Sequence, residues 1–245
     1  MSNQPSPTNG NPPPESRSAK VGEDVNKQYG ILNVKDGGKA TGVKQEEGAV
    51  LIATTGTGTV IDGTNALGKP FSIKEGQADN VLLENGGQLT VVNETTADHT
   101  TIRNGGKLIV NAGGTATGST IDNGGLMQNA GEDSGTTVKD GGGYELGRYN
   151  ASSTVKPDYR YYGTAAASGL KVEAGGRAAV YAGTLTGATV KGANASLTLM
   201  TPQTETDGSD LTLSLTGKVS VTEGGRLVSQ RGADMSGAEL TLSSQ

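Results

Sequence analysis

The chain has 245 residues, of which 40 are Gly and only 3% are aromatic, with one Phe and no Trp. This composition argues against a thick globular core, which needs large side chains, and favours a solenoid with a narrow aliphatic interior. The formal charge of −5 gives no reason to expect a nucleic-acid partner, and the lack of Cys excludes disulfides and thiol catalysis.

The first part of the chain is rich in Pro, Ser and Asn and almost free of apolar side chains. Such a segment cannot bury enough surface to offset its ordering entropy, so residues 1–28 are predicted to be a disordered leader or linker. It lacks the apolar centre of a secretory signal, so the signal of an exported protein would have to be missing from this chain. No stretch approaches twenty apolar residues, and membrane insertion by this segment is not expected.

Residues 29–147 are predicted to form regular rungs of a solenoid. QLTVVNETTADHTTIRNGG (88–106) and KLIVNAGGTATGSTIDNGG (107–125) are two copies of one nineteen-residue unit. Apolar residues alternate within each copy, as Leu89 and Val91 do, which is the period of a β-strand. The unit predicts strand, short turn, strand and Gly-Gly corner, stacked as an all-β, parallel β-helix of roughly eleven rungs. Residues 126–142 read as a seventeen-residue variant.

The repeat stops at residues 148–168, which contain four of the seven tyrosines. An insertion in a solenoid maps to a loop or hairpin projecting from one corner. Clustered Tyr suits binding, but the insert could equally fold back and cover the solenoid. The candidate binding residues are Tyr149, Tyr159, Tyr161 and Tyr162. Less regular rungs are predicted for residues 169–245, where an uncapped final strand suggests a piece of something longer.

Two sets of polar residues follow the repeat. Asn85, Asn104 and Asn123 each precede Gly-Gly and are predicted to stack as a ladder at one corner, where Asn also tolerates a left-handed turn. With Asp79 and Asp98, which are nineteen residues apart, they form the candidate self-association face. A second set is expected on outward positions, explained either by β-propensity or by O-glycosylation. It consists of Thr100, Thr117, Ser119 and Thr136.

No catalytic, cofactor or metal site is expected. The acidic pairs Glu46/Glu47, Glu132/Asp133 and Asp207/Asp210 consist of adjacent or near-adjacent residues, and adjacent side chains on a strand point to opposite faces. A carbohydrate-active or glycan-binding β-helix, whose carboxylates would have to converge in a groove, is the alternative from another class. A third interpretation is a structural stalk for a missing head.

The pattern GGxLxVxxGGxAxxTxIxxGG, which residues 105–125 follow with Ser119 at its Thr position, resembles the passenger repeats of self-associating bacterial autotransporters of the antigen 43 and AIDA type. FSIKEGQADNVLLENGGQLTV (71–91) is similar to an antigen 43 passenger segment. The resemblance covers residues 30–147 well and those from 169 loosely, but neither the leader nor the tyrosine insert.

This resemblance implies a right-handed parallel β-helix outside a Gram-negative cell, attached to the outer membrane through a translocator that this chain does not contain. It implies adhesion to the same protein on neighbouring cells, with autoaggregation and biofilm formation, or to a host receptor or glycan. Heptose on Ser or Thr is a further implication.

Overall fold

The computed structural model describes residues 28–204 and 211–244, which form β-strands joined by turns. The predicted leader therefore lies outside the described residues except for Gln28, and so do Asp207 and Asp210. Within the described part, no helix is long and apolar enough to cross a membrane.

Two large sheets enclose one narrow core. Within the described residues, sheet A has nine parallel strands, and each pairs with the strand of the next coil. In order they are β1 (Ile31–Asn33), β3 (Val50–Thr54), β8 (Gln88–Val91), β11 (Lys107–Val110), β14 (Leu126–Asn129), β17 (Gly143–Leu146), β21 (Arg177–Val180), β23 (Ser196–Leu199) and β25 (Arg226–Ser229).

Sheet B, with fifteen strands in the described part of the chain, closes the other sides of the coil. Its first part contains β2 (Lys39–Lys44), β4 (Val60–Thr64), β5 (Pro70–Lys74), β6 (Gln77–Asp79), β9 (Thr96–Asp98), β12 (Thr115–Thr117) and β15 (Glu132–Ser134). Its second part contains β7 (Leu82–Leu83), β10 (Thr101–Ile102), β13 (Thr120–Ile121) and β16 (Thr137–Val138). The long strands β20 (Ala166–Val172), β22 (Gly183–Lys191), β24 (Leu213–Thr222) and β26 (Asp234–Ser243) run through both parts.

The nineteen-residue period sets the register of the stack. Leu108 pairs with Leu89 and Thr120 with Thr101, while the next coil follows after seventeen residues, with Gly143 beside Leu126. Alternate residues of each strand point inward and stack on their equivalents in neighbouring coils. The predicted fold class, an all-β parallel β-helix, is confirmed.

The Gly-Gly corners have two separate causes. The first Gly takes a left-handed conformation, as at Gly124 with φ of +79°, which favours a residue without a Cβ. The second Gly lies against the backbone of the preceding coil: a Cβ on Gly125 would be 2.3 Å from the carbonyl oxygen of Ile102. The chain therefore turns the corner closely enough for the next strand to pair.

One strand departs from the parallel stack. β5 runs antiparallel to both β4 and β6 and occupies a position in sheet B that has no counterpart in sheet A, where β3 pairs directly with β8. Glu75 and Gly76, between β5 and β6, both have positive φ, the conformation of a two-residue type I′ hairpin turn. Because this excursion and the tyrosine insert use residues without adding coils, sheet A has nine strands in the described chain, not eleven.

Candidate functional site

A polar strip runs along one edge of the rod, where the second part of sheet B turns into sheet A. We call it the corner strip. It is built from the successive corners 84–86, 103–105, 122–124, 139–141 and 173–175, each ending at a Gly with positive φ. Strand pairing before each corner stacks these turns directly on one another.

The first column of the corner strip alternates in charge. Each member after the first is hydrogen-bonded to the preceding corner through its backbone, as where the Arg103 N–H donates to the carbonyl of Leu83, the residue just before Glu84. The column is therefore continuous. From one end its members are Glu84, Arg103, Asp122, Lys139 and Glu173. Glu84 is 1% exposed, accepts from Arg103 Nε at 2.8 Å and from the Gly48 N–H at 2.6 Å, and so joins three coils. The members from Arg103 onward are half-buried or exposed.

The second column contains the predicted asparagine ladder. Asn85 N–H donates to the Asn104 carbonyl at 2.9 Å, and Asn104 N–H donates to the Asn123 carbonyl at 2.8 Å. Asn85 and Asn104 have positive φ, and Asn104 and Asn123 are exposed. The three residues therefore stack at one corner as expected, with a structural role that leaves two of the side chains open to a partner.

Asp79 and Asp98 lie elsewhere on the coil. They pair in register at the ends of β6 and β9, just before the bend that separates the two parts of sheet B. Gln77 Nε2 bridges both carboxylates, at 3.1 Å from Asp79 Oδ1 and 3.4 Å from Asp98 Oδ2, while the Thr117 hydroxyl donates to Asp98. The strand β10 separates this pair from the asparagine ladder, so the five predicted residues form two ladders.

The outward placement predicted for the hydroxyl set is wrong at three positions. Thr100, Ser119 and Thr136 are each at most 1% exposed, whereas Thr117 is half-buried. A residue with positive φ precedes each buried hydroxyl (His99, Gly118 and Gly135), and this bend turns the following side chain inward. Burial removes access to those three hydroxyls in the folded state. The half-exposed Ser and Thr side chains instead lie along the outer face of sheet B, in β9, β12 and β15.

The tyrosine insert contains a two-stranded antiparallel hairpin, β18 (Arg148–Asn150) and β19 (Tyr159–Tyr161). Its inner side packs on sheet A through Arg148, whose guanidinium lies 3.7 Å from the Tyr159 ring centroid and 3.6 Å from that of Tyr181. Arg148 Nε also lies 2.5 Å from Glu145 Oε2 on β17. The Asn150 N–H donates to the side-chain oxygen of buried Gln128. The hairpin is thus clamped by a cation between two rings.

Replacing Arg148 with Ala is expected to release the hairpin while leaving the coils folded, because one guanidinium makes both ring contacts and the ion pair. Backbone amides of residues 148–161 should exchange hydrogen at least about tenfold faster, equivalent to about 1.4 kcal/mol of local stability, by mass spectrometry. Arg160→Ala removes an exposed cation paired with Asp158 and is the matched control. Unchanged exchange in Arg148→Ala would contradict the clamp.

Several residues of these surfaces were missed by the sequence reasoning. The charged column and the partners Glu145 and Tyr181 became apparent only through the strand register. The described residues bring together no group of three or more His, Cys, Asp or Glu side chains that could hold a metal ion.

The comparisons with known proteins agree with the repeat pattern. Residues 62–125 and 102–142 match the family model of the AIDA adhesin of the bacterial autotransporter system, described as a probable stalk, which confirms the predicted resemblance over this part. The chain is 37% identical over 197 residues, 80% of its length, to the probable autotransporter YpjA of Escherichia coli (strain K12). It spans only 11% of the length of that relative.

The structure is also similar to the crystal structure of a TibA fragment hyper-glycosylated by TibC. The two are 23% identical with a TM-score of 0.44, and the match covers 88% of this chain and 74% of the other.

Proposed function

We propose that the chain is a length of an autotransporter adhesin passenger that associates side by side with copies of itself on neighbouring cells. The corner strip carries this proposal, because it repeats exposed Asn side chains and alternating charges along one edge of a rod. The role is non-enzymatic, and its site is the bacterial cell surface, with attachment through a translocator elsewhere in the protein. Many weak contacts between rods would sum to autoaggregation and biofilm formation.

The charge pattern is self-complementary. Beyond the buried Glu84, the column continues with four half-buried or exposed side chains that alternate in sign over successive corners, Arg103 (paired with Glu84), Asp122, Lys139 and Glu173. A two-fold axis across the middle of this segment brings Arg103 of one copy opposite Glu173 of the other, and Asp122 opposite Lys139. Every contact then joins opposite charges. Such exposed pairs contribute little singly and weaken as salt rises, so association should be reversible and salt-sensitive.

Charge exchange within the strip tests this arrangement. Lys139→Asp places like charges opposite Asp122 at two symmetry-related contacts and should weaken association by about 2 kcal/mol, roughly thirtyfold in the dimer dissociation constant. The double variant Asp122→Lys with Lys139→Asp restores opposite charges under the two-fold axis and should recover most of the affinity. Analytical ultracentrifugation across concentration and salt measures both, with folding checked by circular dichroism.

The matched control is Lys74→Asp, which makes the same charge change at an exposed residue outside the strip. It should leave the dissociation constant within about twofold of the unmodified chain, an effect near the detection limit for one exposed charge. A strict monomer at every concentration and salt would reject self-association and favour the stalk interpretation. Loss of affinity in Lys74→Asp and Lys139→Asp alike would mean that net charge, and not the strip, governs association.

A further inference from the structure

The hairpin β18–β19 has two chemically different sides. Side chains alternate along each strand, so Arg148, Tyr159 and Tyr161 face sheet A, as their contacts with Tyr181 and with each other show. Tyr149 pairs with Arg160 in the antiparallel register and lies on the opposite, outer side. The inner side holds the hairpin on the solenoid through the contacts of Arg148 and Tyr161 with Tyr181, although Tyr159 is still 37% exposed. The outer side adds one contact with the solenoid, the stacking of Tyr149 on Tyr162.

The outer side presents an aromatic surface beside an ion pair. The Tyr149 and Tyr162 rings are stacked, with centroids 5.7 Å apart and an angle of 15° between their planes, and their hydroxyls are 3.5 Å apart. Tyr162 packs on the solenoid core, so Tyr149 lies on a ring that is itself supported. Beside them Arg160 Nη2 donates to Asp158 Oδ2 at 2.9 Å, and both side chains are more than half exposed.

The charge of this segment opposes that of the chain. Residues 148–162 contain three basic side chains and one acidic side chain, whereas the whole chain has a formal charge of −5. When Glu145 is counted with it, the segment keeps a net charge of +1, and its exposed basic groups are Arg160, which is paired with Asp158, and Lys156 at the tip. This small net positive charge on an acidic rod favours an anionic partner.

We propose that the outer side of the hairpin binds an acidic polysaccharide made of carboxylated pyranose units. A pyranose has an apolar C–H face that fits the Tyr149 ring, while its hydroxyls can bond to the phenols and to Asp158. A guanidinium has five N–H donors, so Arg160 can keep its bond to Asp158 and still hold the sugar carboxylate. Tyr149 and Tyr162 are both half-buried, and such a supported aromatic surface suits a linear polymer. The site lies on the insert and is independent of the corner strip.

Binding of oligogalacturonate to the chain, measured by isothermal titration calorimetry, tests this site. Arg160→Ala should weaken binding at least about tenfold, as expected for loss of a charge-assisted bond. Tyr149→Ala should do the same, whereas Arg177→Ala, which removes an exposed Arg of sheet A outside the hairpin, should have no effect. Hydrogen exchange of residues 148–161 verifies that the hairpin of each variant stays docked.

Two further probes separate sugar binding from charge attraction and from self-association. Polyglutamate carries carboxylates without a pyranose face and should bind at least about tenfold more weakly, and neutral dextran should not bind. Equal binding of polyglutamate, or unchanged binding in Arg160→Ala, would overturn the proposal. Lys139→Asp should retain oligogalacturonate binding even where it abolishes association, so that either proposal can fail alone.

Discussion

Replacing Gly125 with Ala is expected to destabilise the protein by about 3 kcal/mol, at the upper end for overpacking, because the new Cβ would lie 2.3 Å from the carbonyl oxygen and 2.6 Å from the carbonyl carbon of Ile102. Both atoms belong to the backbone of the preceding coil and cannot rotate away. The corner would have to move outward, lengthening the bond by which the Leu126 N–H donates to Gly106. The midpoint of urea denaturation, followed by circular dichroism, measures the loss.

Gly86→Ala is the control for this substitution. Gly86 has φ of +90°, but a Cβ there would meet no atom within 4 Å, so Ala suffers only the strain of a left-handed backbone. That strain should cost about 1–2 kcal/mol. If Gly125→Ala destabilises the protein no more than Gly86→Ala does, close approach between coils is not the reason for the second Gly of each corner.

The free energy of unfolding should fall by up to about 3 kcal/mol as pH rises from 4 to 7, because of a single buried carboxyl, that of Asp133. Burial raises the pKa of Asp133 from 3.8 to about 6, even though Thr136 and Tyr144 donate hydrogen bonds that favour its charged form. The folded protein therefore binds a proton more tightly than the unfolded chain. This contribution is fully present below pH 4 and is lost as pH rises through 6.

The variant Asp133→Asn should lack this pH dependence and be more stable than the unmodified chain at pH 8. The neighbouring Glu132→Gln is the matched control, because Glu132 lies on the same strand but is exposed on the outer face. A plot of the denaturation midpoint against pH, from pH 4 to pH 8, should have a different slope for Asp133→Asn than for the unmodified chain. The plot for Glu132→Gln should follow that of the unmodified chain closely. Parallel curves for all three would contradict the effect.

The buried carboxyl belongs to one unusual coil. Asp133 takes the inward position that Ala116 and Ala97 occupy in the two preceding coils, and Asn129 takes that of Val110. The Thr136 hydroxyl lies 2.8 Å from each Asp133 oxygen, and Asn129 Nδ2 lies 3.3 Å from the Tyr144 hydroxyl of the next coil. A satisfied polar group inside an apolar stack can specify which coils pair, at a cost in stability.

Repeats and alternation in the sequence were enough to determine the solenoid, its nineteen-residue register and the asparagine ladder. These features follow from local rules. Apolar residues at every second position form the inward face of a coil, and Gly allows its corner, in the same way in one coil as in the next. The resemblance to AIDA-type repeats rests on the same residues. The sequence alone therefore places Asn85, Asn104 and Asn123 at one corner.

Three features depend on the tertiary structure: the alignment of the charged column, the inward or outward orientation of the hydroxyl side chains, and the difference between the two sides of the hairpin. Lys139 and Glu173 are adjacent in the stack although 34 residues separate them, since the insert lies between their coils. Thr100 points inward because the stack holds His99 in a left-handed bend, with its N–H bonded to the Thr117 carbonyl of the next coil. Such orientations depend on hydrogen bonds between coils, which no single repeat contains.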